Sequence, residues 1–84
     1  MAEVDVPGEG RDERARRSAD RLAVALEEVG FDVGRAFPML RDAADRDGMP
    51  AIELGRVAAP VADQLSDVLT RAARHGVTVR GRTA

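Results

Sequence analysis

The sequence predicts an α+β fold, two amphipathic helices flanking a short β-hairpin, and three observations carry that prediction. Apolar residues recur at helical spacing in two separate stretches, residues 12–29 and 59–76. Each stretch is closed by a glycine followed by a hydrophobe, Gly30-Phe31 and Gly76-Val77. Between them, Arg35 to Leu54 holds two short apolar pieces separated by a turn-forming run that ends in Asp47-Gly48.

Residues 1–11 read as a disordered acidic tail. Pro7, Gly8 and Gly10 oppose a helix, and Glu3, Asp5 and Glu9 charge the segment. A single small domain is expected over residues 12–79, with residues 80–84 a loose polar end.

The first helix is expected from about Asp12, a plausible N-cap, to Val29. Ala15, Ala19, Leu22, Leu26 and Val29 make one narrow face. Its first half offers a core only alanine. That half is expected to fray, held by surface pairs Asp12–Arg16, Glu13–Arg17 and Arg16–Asp20, each worth about 0.2–0.5 kcal/mol. The packed part would run from Leu22 to Val29. Beyond each glycine comes a β-like triplet, Phe31-Asp32-Val33 and Val77-Thr78-Val79.

Residues 37–48 admit two readings. In the favoured one, Met39 to Arg41 pair with Ala51 to Leu54, Asp42 opens the loop, and Ile52 and Leu54 point inward. In the other, a short helix starts at Pro38 and ends before Gly48, giving an all-α three-helix bundle.

The last helix is the best marked. Pro60 suits its first position, and Ala59 before it is a weak cap without a side-chain acceptor. Val61, Ala62, Leu65, Val68, Leu69 and Ala72 form an apolar stripe of core-facing width. Asp63 near the start and Arg71, Arg74 and His75 near the end complement the helix dipole.

Size makes the next step. A chain of 84 residues buries a smaller fraction of its surface than a larger one, and a staple is expected. There is no cysteine for disulfides, and one histidine does not build a zinc site. Idealised packing or a partner chain remains, and a homodimer is expected. The interaction face would be Leu22, Leu26, Val61, Leu65, Val68 and Leu69.

Composition weighs against several functions. Net charge is −2, which opposes nonspecific nucleic-acid binding, and two aromatics, Phe31 and Phe37, make no base-stacking platform. Every basic residue except His75 is Arg, a bias that looks genomic and so carries little about phosphate recognition. No apolar run approaches a membrane span, and the first residues lack a basic-then-apolar leader pattern, so a cytoplasmic protein is expected.

Candidate sites each meet a plain alternative. Arg14, Arg17 and Arg21 share one side of the first helix and form a possible anion-binding face, but Asp12, Glu13 and Asp20 offset much of the charge. Asp42, Asp45, Asp47 and Gly48 suggest a calcium loop. With Gly48 at loop position six, positions one and twelve are Ala43 and Leu54, neither of them a ligand. His75 has no nucleophile in helical reach, and Asp63 and Asp67 fit a salt-bridged face with Arg71. Acyl carrier proteins are of similar size, but their Asp-Ser-Leu is absent: Ser66 stands in Leu-Ser-Asp and Ser18 in Arg-Ser-Ala. A helix-turn-helix reader would not place Asp63 and Asp67 at the start of its reading helix.

The sequence thus predicts no enzyme, cofactor or metal. It predicts a noncatalytic interaction or accessory module partnered by itself or another protein, with a small DNA-binding regulator using the Arg11–Arg21 face as the alternative.

Overall fold

The computed structural model describes residues 7–79. In chain order it contains α1 (Pro7–Glu28), α2 (Val33–Ala36), β1 (Arg41–Ala44), β2 (Pro50–Glu53) and α3 (Ala59–Arg74). The two main helices flank a two-stranded antiparallel hairpin, so the α+β arrangement holds and the three-helix bundle does not form.

α1 begins at Pro7, not Asp12. A first-turn proline loses no intrahelical hydrogen bond, and glycine in an opening turn costs at most about 1 kcal/mol. Residues 7–11 of the expected tail are therefore helical, and Asp12 lies inside the helix. Residues 1–6 and 80–84 of the expected tail and loose end lie outside the described residues.

The packing along α1 reverses the expected one. Ala15 and Ala19 are only 2% and 7% exposed, whereas Val29 is 51% exposed and Leu22 half-buried. The alanine half is the packed half because small side chains let the hairpin come close. β2 lies across it, and Ala15 and Ser18 share an open groove of about 310 Å³ with Pro50, Ala51 and Ile52. Of the anticipated surface pairs, Glu13–Arg17 forms at 3.9 Å, and Glu13 also meets Arg16 at 3.6 Å.

Leu26 and Phe37 complete the buried set among the described residues. Phe37 is delivered by α2, a single turn docked on α1. Its ring stands edge-on to Phe31, centroids 5.3 Å apart and planes at 88°, a favoured aromatic geometry. The β-like reading of Phe31-Asp32-Val33 is thus corrected: Val33 opens α2, whose backbone bonds run from Arg35 and Ala36 back to Asp32.

The hairpin pairs Arg41 with Glu53, Asp42 with Ile52, Ala43 with Ala51 and Ala44 with Pro50. The expected strand 39–41 is therefore displaced towards the turn, and Asp42 is paired instead of opening the loop. The loop is organised by Asp45, whose Oδ1 accepts from the amides of Asp47 (2.9 Å) and Met49 (3.0 Å). Ile52 is half-buried as expected, but Leu54 is 51% exposed and does not point inward. Arg41 and Glu53 join side chains across the pair at 3.2 Å.

Beyond β2 the chain must pass Met39 closely. Gly55 has φ of +75°, and a Cβ placed there would collide with Met39 Cβ. A Gly55→Ala substitution meets both the left-handed backbone and that clash. It is expected to destabilise the fold by about 1–3 kcal/mol, read from the urea midpoint at unchanged slope.

α3 runs one residue further at its start than anticipated, with Ala58 as the cap and no side-chain capping bond. Among the described elements, α1 receives the hairpin and α2, and α3 has no comparable packing partner. The molecule is open as a result. Its radius of gyration is 15.5 Å, against about 12 Å for a compact domain of this length.

Candidate functional site

α3 has the strongest separation of apolar and charged faces in the chain and contains no buried residue. Val61, Leu65, Val68 and Ala72 are half-buried, and Leu69 beside them is 59% exposed. A helix of this kind normally derives its stability from burying that stripe. Within one chain the burial is incomplete.

The two helix ends show where it fails. Both close with the same double bond. Gly30 N–H donates to Glu27 O (2.9 Å) and Phe31 N–H to Leu26 O (3.1 Å); Gly76 N–H donates to Ala73 O (3.0 Å) and Val77 N–H to Ala72 O (2.9 Å). After α1 the following hydrophobe, Phe31, goes into the aromatic pair. After α3 the equivalent residue, Val77, is left 64% exposed, and Val79 beyond it 73% exposed. Sequence reasoning did not include Val77 in the interaction face. Its place after the terminating glycine is the available signal, and what is not readable is that no described element covers it.

The predicted interaction face is divided by the structure. Val61, Leu65, Val68 and Leu69 lie together on α3. Leu26 is only 7% exposed, so it belongs to the chain's own core and is withdrawn from any outward face. Leu22 is half-buried on α1.

The arginine face is brought together. Arg14, Arg17 and Arg21 line one open concavity of about 530 Å³ with Ser18, all projecting from successive turns of α1. Arg17 is engaged by Glu13 at 3.9 Å.

The remaining candidates take local structural roles. His75 Nδ1 lies 2.9 Å from the Arg71 carbonyl, an acceptor only, so that nitrogen donates its hydrogen to the end of α3. The carboxylate of Asp45 holds the hairpin loop. No ion pair joins Asp67 to Arg71 among the described residues, so the salt-bridged reading of that face is not realised within the chain. Among the described residues no three of His, Asp and Glu are grouped to hold a metal ion. No described helix is long and apolar enough to cross a membrane. No family model, curated protein or solved structure matches the chain.

Proposed function

We propose that this chain is a noncatalytic protein–protein interaction module, an accessory or regulatory protein of the cytoplasm that works as a homodimer through the apolar stripe of α3. One observation carries the reading: of the two main helices, the more strongly amphipathic is the one without a buried residue. The three most exposed large apolar residues among those described, Leu69, Val77 and Val79, stand on this helix or just past its end. Light scattering coupled to size exclusion at micromolar concentration tests it. A mass twice that of the 9.0 kDa chain is expected. A monomer that melts cooperatively with a midpoint independent of concentration sinks the homodimer.

A second reading is favoured by the concavity holding Arg14, Arg17 and Arg21. Three guanidinium groups on successive helical turns suit a run of phosphates, which makes a small DNA-binding regulator the alternative. Its mark would be duplex DNA affinity falling steeply with salt, a log–log slope of about −0.9 per neutralised phosphate. Replacing the three arginines by glutamine should flatten that slope. No binding at low salt removes the alternative.

A further inference from the structure

Resting on the interaction-module reading, we propose that the partner of α3 is a second copy of α3, lying antiparallel across a two-fold axis at the level of Ser66 and Asp67. Val61, Leu65, Val68 and Ala72 are the four half-buried positions of the helix. Their spacing of four, three, four is the seam of a two-stranded helical pair.

The flanks of the seam set the direction. On one side stand Ala62 and Leu69, one heptad apart; on the other stand Gln64 and Arg71, with Asp67 beside them. In a parallel pair each flank meets the opposite flank of its partner. Leu69, 59% exposed in the single chain, would then lie against a glutamine and an arginine. In an antiparallel pair each flank meets its own copy. Leu69 comes within about 3 Å of axial level with the partner's Ala62, large against small, at 1.5 Å rise per residue. Arg71 comes within about 3 Å of axial level with the partner's Gln64 and about 7.5 Å from that of the partner's Asp67, a carboxylate with no ion-pair partner among the described residues.

Charge along the helix agrees. The first half carries Asp63, the last turn Arg71 and Arg74. Parallel pairing sets like charges and like dipole ends side by side, and antiparallel pairing sets unlike ones. Such an interface is self-complementary, as a two-fold dimer requires.

The absence of native cysteine permits a direct test. Ser66 and Ala73 are both exposed and one heptad apart, so they share an azimuth outside the seam. Ser66→Cys and Ala73→Cys are spin-labelled separately in the full chain, and the distance between the two labels of a dimer is measured. In the antiparallel dimer the axial offset between paired labels is about 1.5 Å at position 66 and about 20 Å at position 73, from 1.5 Å per residue. A short distance at 66 and a markedly longer one at 73 is expected. A dimer with the same short distance at both positions overturns the antiparallel arrangement and leaves the interaction module standing. A dimer with long distances at both moves the interface off α3. No dipolar signal, together with a monomer in light scattering, overturns the homodimer itself.

Discussion

Phe37→Ala is expected to abolish cooperative unfolding at room temperature. Phe37 is 5% exposed and, among the described residues, is one of four buried apolar ones, two of which are alanines. Removing a buried phenylalanine costs about 3–5 kcal/mol, from lost transfer energy and the cavity left behind. A chain of this length has a total stability of roughly 4–12 kcal/mol, and so thin a core places it at the low end. The substitution also strips the edge-to-face partner from Phe31, worth about 0.5–1.5 kcal/mol. Phe31→Ala is the matched control: Phe31 is half-buried, so the loss should be smaller and a melting transition should survive. Far-UV circular dichroism through a thermal ramp separates the two. A Phe37→Ala chain that melts like the parent would mean that the fold is not organised around the aromatic pair.

The contrast between α1 and α3 explains how much was readable beforehand. α3 was legible almost to the residue because its stripe, its proline and its closing glycine agree with one another. The Pro7-Gly8-Glu9-Gly10 start of α1 is not legible because Pro7, Gly8 and Gly10 each argue against a helix interior, while proline in a first turn does not argue against a helix start. The alanine half of α1 was undervalued for a related reason. Alanine contributes little area of its own, and its use in close approach depends on which element arrives opposite it, here β2. The hairpin itself was legible and its register was not. Asp42, Asp45 and Asp47 are equally able to open a loop, and the choice of Asp45 follows from the bonds it makes to Asp47 and Met49 once the chain has turned. The arginine concavity was legible as a helical face, whereas the separation of Leu26 from the α3 stripe was not. Apolar periodicity marks a buried face without saying which element buries it.

Leu65→Asp should dissociate the dimer and, with it, weaken the helicity of α3. In a two-fold interface every substitution counts twice. Losing the burial of one leucine costs about 1.5–3 kcal/mol, so two cost about 3–6 kcal/mol before the two introduced carboxylates, about 4.5 Å apart in axial level near the two-fold axis, repel one another. The dissociation constant is therefore expected to rise by at least 10²-fold, since each 1.4 kcal/mol is a factor of ten. Helicity follows because α3 is 16 residues long and, among the described elements, has no packing partner comparable to those of α1. A helix of that length is marginal in water without tertiary contacts. Far-UV ellipticity should fall on dilution of the parent and be lower in Leu65→Asp at every concentration, while the α1–hairpin unit stays folded. Val24→Asp provides the comparison. Val24 is 54% exposed, close to the 59% of Leu69, but lies on α1. If exposure alone drove association, Val24→Asp would weaken it comparably; if the α3 seam does, sedimentation velocity should show an unchanged dimer. A Leu65→Asp chain that remains dimeric with full helicity would place the contact elsewhere on the surface and remove the reason for α3 to be folded at all.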